Sequence, residues 1–105
     1  MLYNHIYNEN MGEWQKMKAV ITVTGKDSVG IIASVSTECA KYDANIVDIS
    51  QSVLSEYFAM IMLADIDNLK LPFSEFVDVM SAIGRERGLS INVMHEDIFN
   101  TMHHI

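Results

Sequence analysis

Residues 57–66 read YFAMIMLADI, and the reading of this run decides the fold. As a strand it puts Phe58, Met60 and Met62 on one side and Ala59, Ile61 and Leu63 on the other, because successive side chains alternate across a strand. Both sides are apolar and both need cover, which marks a central strand. Immediately upstream, Ser55-Glu56 serves as a hairpin turn, although it lacks the favoured Asn-Gly chemistry. It joins the run to Asn45–Leu54 (NIVDISQSVL), a second strand on which Val47, Ile49 and Val53 share a face.

Further out, Lys18–Thr24 (KAVITVT) is short and β-branched and also reads as a strand. Gly25–Gly30 (GKDSVG) is a turn, and Asp27 or Ser28 offers a capping oxygen to a helix running through Tyr42. Ile31, Ile32, Val35 and Cys39 give that helix an apolar stripe. Beyond the central run, Asp67–Leu71 is a loop and Pro72 opens a second helix. Phe73, Phe76, Val77, Met80 and Ile83 follow its three-four spacing, and Gly88 stops it. Leu89–His95 (LSINVMH) alternates as a fourth strand, after which Asp97 caps a short helix, Ile98–His104.

The order β-α-β-β-α-β predicts an α+β, ferredoxin-like βαββαβ sandwich: a four-stranded antiparallel sheet with two helices on one face, plus the short C-terminal helix. Two helices leave the other sheet face bare. A second copy of the chain is expected to cover it, with the C-terminal segment as the competing cover. Residues 1–17 show no clear period and are expected to form a flexible N-terminal extension, with residues 18–105 as one domain.

At 105 residues the core is real but modest, so stability is expected to lean on self-association. Half of the residues are apolar and a fifth charged, which excludes disorder. The net charge of −7 and the scattered lysines and arginines argue against a nucleic-acid backbone or an anionic membrane as partner. No run approaches transmembrane length, and the start lacks the layout of a signal peptide, so the expected compartment is the cytoplasm. Cys39 is the one cysteine, which rules out a disulfide framework or a multi-cysteine zinc site. It reads as a small buried hydrophobe, with a reactive thiol as the alternative.

The turn from Gly25 to Ile32 invites a ligand. Two glycines permit a tight bend and close backbone approach, and a helix N-terminus presents unpaired N–H groups to an anion. A ligand carboxylate could dock there, with Asp27 accepting from an ammonium group; a purely structural turn is the alternative. The pattern is neither a Walker loop nor GxGxxG. His95, Glu96, His103 and His104 raise a metal site, but adjacent histidines point to different sides of a helix and HExxH spacing is absent, so no metal is expected. Asp65, Asp67, Glu75 and Asp78 read as solubilising charge. Ser34, Ser36, Ser50 and Ser52 have no histidine in the central sequence to activate them, and neither catalysis nor a cofactor is expected.

The run TGKDSVGII from Thr24 to Ile32, then a helix, then ANIVDISQ from Ala44 to Gln51 resembles the ACT domain. In that family Asp/Asn-x-x-Gly and an apolar residue mark the turn after the first strand, and an Asn-Ile pair opens the second. The resemblance covers about Lys18 to His95 and is nearest to stand-alone bacterial and archaeal ACT proteins, related to the regulatory domains of the glycine-cleavage repressor and of formyltetrahydrofolate deformylase. It implies a homodimer that senses a small molecule, usually an amino acid, at the subunit interface and passes the signal to a partner protein. The ligand-binding set it implies is Gly25, Lys26, Asp27, Ser28, Val29, Gly30 and Ile31 in the turn, with Asn45 and Ile46 opening the second strand. Ser28-Val29 replaces the commoner Arg-Pro, and Gly25 offers no side chain where some members are polar. Asn45 either contacts the ligand or caps a backbone turn; in the first case it and Asp27 are expected to flank the mouth of one helix N-terminus. A ligand-free protein-interaction module shares the topology, as does an RNA-binding module, although the central strands lack the basic and Gly-aromatic pattern of the latter.

Overall fold

The computed structural model of the chain describes residues 5–8, 13–26 and 29–102. In chain order its elements are β1 (His5–Asn8), β2 (Glu13–Lys16), β3 (Lys18–Gly25), α1 (Ile31–Lys41), β4 (Asn45–Leu54), β5 (Tyr57–Asp65), α2 (Phe73–Arg87), β6 (Ser90–His95) and α3 (Glu96–Met102). Strands β3 to β6 form an antiparallel sheet in the order β4-β5-β3-β6, so β5 and β3 are the central strands, as the apolar run at 57–66 requires. Upstream, where no element was expected, β1 and β2 pair as an antiparallel hairpin that sets Tyr7 opposite Trp14.

One face of the sheet carries the core. Ala19, Ile21 and Val23 of β3, Phe58, Met60 and Met62 of β5, and Ile91 and Val93 of β6 are buried together with Ile31, Val35 and Cys39 of α1 and with Phe76 and Met80 of α2. Ile31, Val35 and Cys39 repeat at four-residue intervals, as one helix row must. Ile32, expected in that stripe, is 37% exposed because it falls a third of a turn away. On the far face Val20 is buried and its partner Met94 half-buried, and α3 packs against the two strands that carry them. The C-terminal segment therefore covers part of that face, while Tyr57 and Ile61 of β5 remain exposed.

On β4 the register slips at Val47, so Val47 stands outside the alternation that Ile49 and Val53 follow. Asp67, read from sequence as solubilising charge, is instead buried: its Oδ1 accepts the Met17 N–H at 2.9 Å, and its own N–H donates to Asp65 Oδ1 at 2.9 Å. A backbone donor at the foot of β3 needs that acceptor once it leaves water. Burial pushes the Cys39 thiol up to about 11, reinforced by the Glu38 carboxylate, so the sulfur is an inert core group.

Helix α2 ends against β6 at Gly84. A Cβ there would lie 2.8 Å from the Leu89 carbonyl oxygen and 3.1 Å from Ile91 Cγ1, and the Leu89 N–H donates to the Gly84 oxygen at 2.8 Å. Gly84→Ala would gain about 1 kcal/mol of helix propensity. It would lose more through the forced separation of α2 and β6, where overpacking costs roughly 1–3 kcal/mol. Chemical denaturation should therefore show a net loss of stability; a variant more stable than the parent would contradict the close approach.

Candidate functional site

Strand β3 delivers the chain to Gly25, and α1 begins at Ile31, so the intervening turn lies at one end of the sheet. Its first glycine lies against Leu89, whose side-chain tip would have to shift to admit a Cβ on Gly25. Its last, Gly30, has φ +72°, the left-handed region that favours glycine. Gly30 is also the N-cap of α1, supplies no side-chain cap, and is followed by no acid in the first turn. Among the described residues, therefore, neither Gly30 nor the first turn of α1 supplies a side-chain acceptor to the leading N–H groups of the helix.

Lys26 reaches sideways to the β4–β5 hairpin, with Nζ 3.9 Å from Glu56 Oε2 and 5.3 Å from the centre of the Tyr57 ring. Val29 is 81% exposed, whereas Ile31 is core and offers the turn only its backbone. Asp27 and Ser28, the expected cap and ammonium acceptor, lie outside the described residues. Beside the turn a cavity of about 610 Å³ is lined by Thr24, Gly25, Ser52, Tyr57 and Ser90 among others.

The other predicted pair is elsewhere. Asn45 aligns across the sheet with Asp65 and Lys18, at the start of β3, whereas Gly25 ends β3 and aligns with Phe58 and Val53. Seven residues at ~3.3 Å each separate the two ends by about 23 Å. Asn45 therefore does not flank the α1 N-terminus in its own chain. It borders a groove of about 620 Å³ at the C-terminal end of α1, with Ser36, Cys39, Asp43, Ile46 and Asn68. Ile46 leans on the core and is half-buried.

Sequence reasoning missed Arg87. From the last turn of α2 its Nη1 donates to the Val29 carbonyl at 3.3 Å and its Nη2 to Ser34 Oγ at 2.6 Å. The Arg85/Arg87 pair is visible in the sequence, but nothing in its spacing predicts a contact across 58 residues.

His95 is half-buried and stacks on Phe73 with ring centres 3.9 Å apart, and its buried Nδ1 has no hydrogen-bond partner among the described residues. Burial lowers its pKa below the ordinary value, against a smaller upward pull from Asp97. It is a packing residue. His103 and His104 lie outside the described residues, and among the described residues no three His, Cys, Asp or Glu side chains are grouped to hold a metal. Among those residues, too, no helix is long and apolar enough to cross a membrane.

A family model described as the ACT domain matches residues 18–93. The chain is 44% identical over 87 residues to a UPF0237 protein of Listeria innocua, covering 83% of this chain and 98% of that one. It is 46% identical over 89 residues to a UPF0237 protein of Clostridium acetobutylicum, covering 85% and 100%. Among solved structures it is similar to an ACT domain protein from Streptococcus pneumoniae, at TM-score 0.71 and 42% identity, covering 85% of this chain and all of that one. A formyltetrahydrofolate deformylase from Pseudomonas syringae shares the fold at TM-score 0.69 and 22% identity over 30% of its own length.

Proposed function

The chain belongs to the ACT-domain family, and from that premise we propose that it is a non-catalytic sensor holding an amino acid or similar small metabolite between two copies of itself. The observation that carries this reading is the free edge of β4. Among the described residues that strand pairs only with β5; it runs for ten residues and contains no lysine, arginine or proline to discourage a further strand. Val47, Ile49 and Val53 on β4 and Ile32 on α1 are exposed there.

A two-fold axis beside β4 would pair it antiparallel with its counterpart. The partner subunit's Asn45 would then come to the end of the sheet where Gly25–Gly30 lies, so two symmetric sites would each combine one turn with the other chain's groove. A ligand carboxylate would meet the leading N–H groups of α1, and the partner subunit's Asn45 would hydrogen-bond the remaining polar group. Differential affinity for two interface arrangements would supply the signal.

The RNA-binding alternative gains nothing from the geometry. The far face offers Thr22, Thr24, Ser50, Ser52 and Asn92 around a single aromatic, Tyr57, on a chain of net charge −7. The test is thermal unfolding of the full chain against each of the twenty amino acids. At a hundred times Kd a bound ligand adds about 2.7 kcal/mol, an easily read shift in Tm. If none of the twenty moves Tm, the amino-acid reading fails; if common cofactors also leave it unmoved, the ligand-free interaction module takes its place.

A further inference from the structure

We propose that Arg87 is a positioning residue which fastens the turn at the head of α1 to the end of α2. Its functional meaning rests on the reading of that turn as a binding element, while the contact itself does not. Among the described residues, the helix end of the turn has no side-chain cap of its own, because its N-cap is a glycine. Support comes from the α2–β6 corner, which grips both ends of the turn. Leu89 packs against Gly25 at the strand end, and Arg87 takes hold at the helix end. There the guanidinium forks, one nitrogen donating to the Val29 carbonyl just before Gly30 and the other to Ser34 Oγ one turn into α1. The Ser34 N–H in turn donates to the Gly30 carbonyl at 3.0 Å, so the fork spans the first hydrogen bond of the helix.

The electrostatics argue that this placement is not incidental surface pairing. A cation suits the last turn of α2, but it opposes the positive end of α1. An exposed arginine free to choose would point to solvent or to an acid, such as its neighbour Glu86. Conflicts of this kind, a local cost retained beside a candidate site, are expected where positioning is the purpose. Lysine cannot reproduce it, because a single ammonium does not present two diverging donors in a fixed plane. A displacement of the turn by ligand would therefore be felt at α2 through one side chain.

The test is amide hydrogen exchange on the full chain, without any ligand. Arg87→Met should speed exchange at Ser34 and Val35, the first amides of α1 bonded within the helix, by roughly 3- to 10-fold, the loss of one or two exposed hydrogen bonds, and leave β3, β5 and the Asn45 groove unchanged. Arg87→Lys should restore only part of the protection, and Ser34→Ala should give part of the loss at Val35. Unchanged exchange at Ser34 and Val35 in Arg87→Met, or an increase spread evenly over the core strands, would overturn the proposal. Titration with the twenty amino acids separates this from the binding reading. If one binds the parent, Arg87→Met should weaken it; if none does, the binding reading fails while the exchange result still decides the role of Arg87.

Discussion

Replacing Ile49 and Val53 together by lysine is expected to turn the proposed homodimer into a monomer of 11.9 kDa and to weaken the proposed amino-acid binding by about a hundredfold or more, equivalent to ~2.7 kcal/mol. Both residues lie on the edge strand β4 and are 38% and 74% exposed in the single chain. Their substitution creates no cavity and buries no charge in the monomer, so its fold should hold to within roughly 0.5 kcal/mol. Across a two-fold β4–β4 seam, however, the same changes bring four ammonium groups together and remove the apolar area that the seam would cover. Lysine on an edge strand is the commonest natural obstacle to such pairing. Light scattering reads the mass and circular dichroism the fold. A folded double variant that stays dimeric would place the contact on another surface, and the composite site would fall with it.

Phe76→Ala should cost about 3–5 kcal/mol, the range for removing a fully buried aromatic side chain. Phe76 has no exposure at all and sits in the same α2 row as Met80 and Gly84, on the helix that packs against β6. A domain of this size is stable by only about 5–15 kcal/mol, so the variant would lose a large share of its stability. The measurement is the urea midpoint at one fixed protein concentration, because association would contribute to apparent stability. An unchanged slope with a lower midpoint identifies a true stability loss. A loss under about 1 kcal/mol would mean that the layer between α2 and the sheet collapses to fill the space.

The fold was legible because local signals and global order agreed. Lys18–Thr24, Asn45–Leu54 and Tyr57–Ile66 were read within a residue of the observed strands, and Gly88 stops α2 in the left-handed conformation that its sequence signal implies. The misses have different causes. Ile32 belongs to the apolar stripe by composition yet falls a third of a turn off the buried row, and β1–β2 is a local hairpin whose strands carry no clear period. Asp67 has the pattern of surface charge yet accepts from a backbone donor 50 residues distant, a long-range partner that spacing does not encode. The candidate site divides the same way. Gly30 is legible from backbone need, whereas the contact of Gly25 with Leu89, the reach of Arg87 and the separation of Asn45 from the turn follow only from the tertiary arrangement.

That separation has a consequence for how the protein would respond in a cell. Since Asn45 and the Gly25–Gly30 turn stand at opposite ends of the same sheet, no metabolite the size of an amino acid can touch both within one chain. Any ligand that engages the two must draw two chains together, and its occupancy becomes second order in protein. Dilution would then weaken apparent affinity, and added ligand would tighten the pairing by the same factor. Such a chain reports the product of two concentrations, the metabolite's and its own, so the level at which it is expressed sets the threshold at which it answers.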